Sequence, residues 1–278
     1  NNFTLKNFAK NGISWPHRIS KKNVKNTLKK NYFLFMEKSK KYFGQNISLK
    51  PHLLSEYFYN LAVDPIIIRK VKKIIGNNIY IWSSAFFVKA PGEGKIVSFH
   101  QDNPYWQLTT NKVVTAWISL SNSNSKNGAL QAVPKSHNLG LIKKLDVKNA
   151  RKSYLKGEKT TGDNDLLSYN QNLEKFIKLN KPITINLKTG EFSIHHVNTV
   201  HGSGINKSKN YRMGYAVRYV SSETRHEEED SDFATHISGT KNKYYTDEIK
   251  PEGEFSENSI KQYKISMRST GVFGNKKY

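Results

Sequence analysis

Cysteine is absent from all 278 residues. That excludes a disulfide framework, cysteine-ligated zinc and thiolate-bound iron–sulfur clusters, and it is compatible with a reducing compartment. Long apolar runs are missing too: none approaches the length of a membrane span, and the polar, lysine-rich start at residues 1–10 is not a signal peptide. The expected location is cytoplasmic, with no membrane partner. The chain opens on Asn1 rather than methionine, so a natural or cloned start lies upstream and a removed leader stays open. No repeat and no linker-like composition shift divides the chain, so a single domain over 1–278 is the simplest organisation.

Acidic residues are scarce at the start. Residues 1–50 carry twelve Lys or Arg against one acid, Glu37, and the whole chain has a formal net charge of +23. A basic nucleic-acid-binding module is therefore one alternative, open to test by salt-sensitive binding. Against it, no nucleic-acid motif is present, and the lysines are scattered among asparagines along predicted helices at 21–43 and 65–75. Solvated helix faces account for them, and no specific nucleic-acid partner is expected.

The first 78 residues read as mainly helical, with Ile67, Val71, Ile74 and Ile75 at helical spacing. Short β-rich runs dominate residues 79–220, interrupted at 121–128 and by the polar stretch 151–172, which is long enough to be a lid or insertion. Residues 221–278 form a C-terminal extension whose opening acidic cluster, Glu227, Glu228, Glu229, Asp230 and Asp232, reads as a solvated loop. The fold class is mainly β with flanking helices.

The chemistry concentrates at His100, Asp102 and His201. Ile96 to Phe99 lead in as a β run, and in an extended strand residues i and i+2 share a face, so His100 and Asp102 reach one ion while Gln101 points elsewhere. Asn103 and Pro104 then end the strand. Two imidazoles and one carboxylate on one side of an octahedral ion leave three positions open, the arrangement of non-haem Fe(II) oxygenases. Residues 191–196 and 199–201 read as strand, 202–210 as a connection and 212–220 as a returning strand that brings Arg212 beside His201. Arg212 then offers a bidentate fork to a carboxylate. Arg218 has the same parity and is the fallback anchor, with structural support its other role.

Each residue also has a plainer use. Nine histidines are present, and a histidine in a β-rich chain is more often structural than a ligand. His137, His195 and His196 do not fit the triad; for the last two, packing, support of a ligand and contact with a substrate stay open. Tyr105 and Trp106 follow the ligand strand directly and are placed at a substrate mouth, against ordinary aromatic packing; Asn103 shares that placement.

At these residues the chain resembles the phytanoyl-CoA dioxygenase family of Fe(II)/2-oxoglutarate oxygenases. The matching stretches are FHQDNPYW at 99–106, VTAWISL at 114–120, NGALQAVPKSH at 127–137, GEFSIHHVNTVHGSGIN at 190–206 and YRMGYAVRYV at 211–220. The resemblance runs more weakly from about residue 11 to about 245. It implies a double-stranded β-helix, the jelly-roll or cupin-like core, with His100, Asp102 and His201 as Fe(II) ligands and Arg212 as the anchor of 2-oxoglutarate. It also implies that Ser203, Trp117, Gln101 and Lys89 line the co-substrate pocket, and that O2 is the oxidant. Halogenating relatives replace the carboxylate with a small residue; Asp102 favours hydroxylation.

Within the family, FHQDNPYWQL, VTAW, DLLSYNQ at 165–171 and GEFSIHHVNTVHGSG resemble the branch containing 2-aminoethylphosphonate dioxygenases. That implies a small charged substrate, an aminophosphonate first; Asn103, Tyr105, Trp106, His195 and His196, near the ligand strands, are the candidates to hold it. An amino acid, a betaine or a carrier-bound molecule is the alternative substrate, and a non-catalytic β-helix binding protein the alternative class. Oligomeric state is not legible here.

Overall fold

The computed structural model describes residues 2–20, 27–142, 164–167 and 171–269. Two sheets face each other. The large one is built from β1 (Ile13–Arg18), β2 (Ile79–Lys89), β4 (Val113–Ser119), β7 (Glu191–His196), β9 (Arg212–Ser221), β10 (Asp232–Ser238) and β11 (Tyr245–Asp247), in the order β1-β7-β4-β9-β2-β10-β11. The small one pairs β3 (Val97–His100), β5 (Gln131–Ala132), β6 (Ile183–Thr184) and β8 (His201–Ser203) in the order β3-β8-β5-β6. All pairs are antiparallel except β10–β11.

Helices cover the outer face of the large sheet, and strand parity explains why. On β9, Met213, Tyr215, Val217 and Tyr219 join a core with Phe35, Phe58, Ile67 and Val71, while the alternate residues Arg212, Ala216 and Arg218 face a cavity between the sheets. β4 and β7 repeat the pattern: Val114, Ala116, Ile118, Phe192 and Ile194 meet the helices, and Thr115, Trp117 and His195 line the cavity. The covering helices are α2 (Leu28–Phe43), α3 (Glu56–Ala62) and α4 (Pro65–Ile75), which follow α1 (Asn2–Asn11). In α4 the Asp64 side chain accepts from Ile66 N at 2.9 Å with Pro65 next in line, and Ile67, Val71 and Ile75 are buried, as the spacing predicts. Tyr219 Oη donates to Ala62 O at 2.6 Å, tying α3 to the sheet.

The two ends of the chain differ from the expectation. β1 lies inside the mainly helical first part and edges the large sheet against β7. The C-terminal extension adds β10 and β11 to the opposite edge and ends in a helix at Glu257–Ser269. Asp232 starts β10 and is half-buried: Trp82 Nε1 donates to it at 2.6 Å, and burial raises its carboxyl pKa. A buried pair, Lys50–Glu248, pins this extension. Lys50 Nζ lies 2.5 Å from Glu248 Oε1 and donates to Ser266 Oγ at 3.1 Å, while Thr235 Oγ1 donates to Glu248 Oε2 at 2.9 Å.

Of the 151–172 stretch, residues 151–163 and 168–170 lie outside the described residues, as do 21–26 of the predicted 21–43 helix. Among the described residues no helix is long and apolar enough to cross a membrane.

Candidate metal centre and its cavity

His100 closes β3 and His201 opens β8, and the two are direct partners in the antiparallel register, with ring centroids 4.2 Å apart. Asp102 reaches them by a different route from the strand parity expected. β3 ends at His100, and Asp102 has helical dihedrals, φ −71 and ψ −42, as the residue before the short helix α5 (Asn103–Trp106). Its carbonyl accepts from Tyr105 N and Trp106 N, and its own N–H donates to Val197 O at 3.0 Å. Gln171 holds the intervening residue, accepting from Gln101 N at 3.1 Å and donating to Gln101 O at 2.7 Å.

The donor atoms converge. Asp102 Oδ1 lies 3.5 Å from His100 Nε2 and 3.9 Å from His201 Nε2, and one ligand atom from each of the three buried residues lies within 4.8 Å of the others. The outer ring nitrogens are occupied: His100 Nδ1 is 2.8 Å from Ser98 O and His201 Nδ1 is 2.9 Å from Thr199 O. A carbonyl only accepts, so each Nδ1 carries the proton and each Nε2 keeps its lone pair for the centre. Burial drives the His201 pKa well below its usual value, which keeps that imidazole neutral. Burial alone would raise the Asp102 pKa, but His201, His100 and His195 outweigh it and hold the carboxyl well below the usual range. Two imidazoles with fixed tautomers and an ionised carboxylate fit a divalent ion such as Fe(II).

A cation-rich end adjoins this cluster. Arg212 of the large sheet faces Ser203 of the small one, so β8 and β9 oppose each other across the cavity rather than pairing as strand and return. Arg212 donates to Ser203 Oγ at 3.1 Å and Phe87 O at 3.2 Å, while its Nε is buried without a partner. Burial lowers its pKa to about 10, leaving it charged at neutral pH. Lys89, its register partner on β2, donates to Ser203 Oγ at 2.7 Å and Ser203 O at 3.1 Å. Burial and then the Arg212 guanidinium bring that ammonium down to about 7. Trp117 lies with its ring 5.6 Å from the guanidinium, over Gly214, where an added Cβ would sit 2.0 Å from the indole. Only glycine admits that packing.

The cavity has a volume of about 730 Å³ and runs from Arg212 past the cluster to Tyr105, Trp106, Glu228 and Glu229. Of the expected site residues, His100, Asp102, His201, Arg212, Ser203, Trp117, Tyr105, Trp106 and His195 line it, and Lys89 meets it through Ser203. His195 Nε2 is 3.8 Å from Asp102 Oδ2, and neither ring nitrogen has a hydrogen-bond partner.

Gln101, Asn103 and His196 are placed outside the cavity lining. Gln101 Nε2 donates to Gly140 O and Asn198 O, and its Oε1 accepts from Ile142 N. Asn103 Oδ1 accepts from Leu108 N, closing the short helix. His196 has the opposite parity to His195; it accepts from Asn198 N and stands against Phe8 and His137. Thr115 and an acidic mouth of Glu228 and Glu229 line the cavity in addition to the expected residues. Thr115 shares the parity of Trp117 on β4, and that was the available signal.

The paired sheets and their two-histidine, one-carboxylate centre define a double-stranded β-helix of the non-haem Fe(II)/2-oxoglutarate oxygenase class. Residues 14–214 match the phytanoyl-CoA dioxygenase (PhyH) family, and the chain belongs to that family of Fe(II)/2-oxoglutarate oxygenases. One relative is a probable alpha-ketoglutarate-dependent hypophosphite dioxygenase of Stutzerimonas stutzeri, 27% identical over 62% of this chain and 56% of that protein. Another is the phytanoyl-CoA dioxygenase of Arabidopsis thaliana, 29% identical over 51% of this chain and 45% of that one. The chain thus spans about half the length of the curated relatives it matches. Among solved structures, the apo form of the non-heme monooxygenase ThoJ superposes with a TM-score of 0.76 at 18% identity, covering 95% of this chain and 94% of that one; this likeness concerns the fold.

Proposed function

We propose that the protein is an Fe(II)- and 2-oxoglutarate-dependent dioxygenase that hydroxylates a small charged molecule, with 2-aminoethylphosphonate or a related organophosphonate first in line. The convergence of His100 Nε2, His201 Nε2 and Asp102 beside a buried Arg212 whose Nε has no partner, in one cavity, carries this reading. The three residues hold the metal; Arg212 and Ser203 take the distal carboxylate of 2-oxoglutarate, buttressed by Lys89 and walled by Trp117. When bound, iron with 2-oxoglutarate and O2 supplies the oxidising power to hydroxylate a C–H bond, with release of succinate and CO2.

The chain's own residues fix ligands, anchor the co-substrate and aim one C–H bond at the centre. Tyr105 and Trp106 shape the substrate end, and Glu228 and Glu229 at its rim suit an ammonium group. The hypophosphite-acting relative supports a phosphorus oxyanion as substrate. The same cavity also suits an amino acid or betaine, which share an anionic and a cationic end. A cytoplasmic site of action belongs to the same proposal. Screening phosphonates, amino acids and small amines for substrate-stimulated 2-oxoglutarate consumption, with succinate and hydroxylated product measured together, tests the assignment; no response across the phosphonates would remove that substrate class.

A further inference from the structure

The oxygenase reading uses one of two guanidinium groups in the cavity and leaves Arg218 without a role. Arg218 follows Arg212 by six residues at the same parity and lines the same cavity. Strand register sets Thr115 of β4 on one side of it and Ser83 of β2 on the other, with His195 of β7 beyond Thr115. The four residues form a polar rung across adjacent strands, close enough to Asp102 for its charge to act on Arg218.

This rung is not satisfied from within. Arg218 Nε, Thr115 Oγ1 and both ring nitrogens of His195 are buried without hydrogen-bond partners, and Arg218 reaches Ser83 Oγ only at 3.5 Å. The ion pairs of the site join histidines to Asp102; none among the described residues involves Arg218. Buried polar groups left without partners are costly, and an acceptor brought into the cavity by a ligand would relieve that cost at Arg218. The Trp106 and Phe87 rings, 5.1 and 5.8 Å from the guanidinium, hold the fork in place before a ligand arrives.

We propose that Arg218 and Thr115, with His195 beside them, form an anion subsite for the substrate. It takes a small oxyanion, phosphonate or carboxylate, and holds the adjoining carbon next to the metal cluster. The proposal rests on the oxygenase reading and divides the cavity between two anions: Arg212 takes the co-substrate, Arg218 the substrate.

The test uses the full chain loaded anaerobically with Fe(II) and 2-oxoglutarate and titrated by calorimetry with 2-aminoethylphosphonate, methylphosphonate, β-alanine and ethanolamine. Ethanolamine keeps the amine and lacks the anion. We expect at least one of the three acids to bind and ethanolamine not to; the acid that binds decides between phosphonate and carboxylate. Arg218→Gln should weaken that binding roughly tenfold or more and Thr115→Val severalfold. In both variants the 2-oxoglutarate titration, followed by its charge-transfer absorption on iron, should be unchanged. Arg218→Lys, which keeps the charge and loses the fork, covers the case of a misfolded glutamine variant and should also bind the acid more weakly. Equal binding by folded variants, no acid bound by a wild type that forms the absorption band, or loss of 2-oxoglutarate binding in Arg218→Gln would each overturn the subsite. A wild type that binds iron and forms no band overturns the oxygenase reading instead.

Discussion

His100 and His201 face each other across the β3–β8 ladder, and each donates its Nδ1 proton to the carbonyl two residues before it, Ser98 O at 2.8 Å and Thr199 O at 2.9 Å. The shared arrangement aims both Nε2 atoms at Asp102. Removing any one of the three side chains deletes a ligand without touching the helix-covered core. His100→Ala, Asp102→Ala and His201→Ala should therefore each lose Fe(II) affinity by an order of magnitude or more and remain folded, as metal analysis and circular dichroism would show. Near-normal iron binding in any two of them would mean that the triad is misassigned.

Arg212 and Arg218 should separate cleanly in a co-substrate titration. A charge-assisted bond lost at Arg212 costs about 1.5–3 kcal/mol, so Arg212→Ala should raise the 2-oxoglutarate requirement roughly tenfold or more. Arg218→Ala should leave it near the wild-type value. The reverse order would move the anchor to Arg218.

Gly214 is a packing constraint on the site. An alanine there meets the Trp117 indole at 2.0 Å, and overpacking of this kind costs about 1–3 kcal/mol. Gly214→Ala should lower the melting temperature and weaken 2-oxoglutarate binding, because the displaced indole is the wall beside Arg212. Adding Trp117→Leu should restore part of the lost stability; a purely additive double variant would count against the contact.

The Lys50–Glu248 pair predicts acid sensitivity of the C-terminal extension. Burial opposes the Glu248 charge, but Lys50 and His52 outweigh it and bring its pKa from 4.5 down to about 2. Because the folded value is depressed, the stabilisation is complete above pH 4.5 and is lost as pH falls toward 2. Glu248→Gln leaves Lys50 buried and unpaired, at about 3–5 kcal/mol, and should flatten the stability profile across that window in denaturant titrations.

The candidate residues stood out because each sits in a short local pattern, the HQD run, the HGS at His201 and the alternation of β9, whereas their meeting depends on the β3–β8 ladder between distant segments. The same alternation separates His195 from His196, since Phe192 and Ile194 meet the helices and His195 takes the opposite face. What was not legible depends on distant contacts. Gln101 is drawn away from the pocket by the Gly140 and Asn198 carbonyls, and Asp102 enters through a helical turn tied to Val197. Asp232 lies in an acidic run that reads as solvated, yet Trp82, 150 residues earlier, donates a hydrogen bond to it and holds it in β10. β1 was hidden for the same reason, its strand partner being β7 rather than a neighbour in sequence.

The most direct test of the oxygenase account is an anaerobic absorption titration of the purified chain with Fe(II) and then 2-oxoglutarate. A charge-transfer band should appear in the wild type on addition of 2-oxoglutarate, be lost in His201→Ala, and require much more 2-oxoglutarate in Arg212→Ala. No band from wild-type protein with iron bound, or an undiminished band in folded His201→Ala, would contradict it.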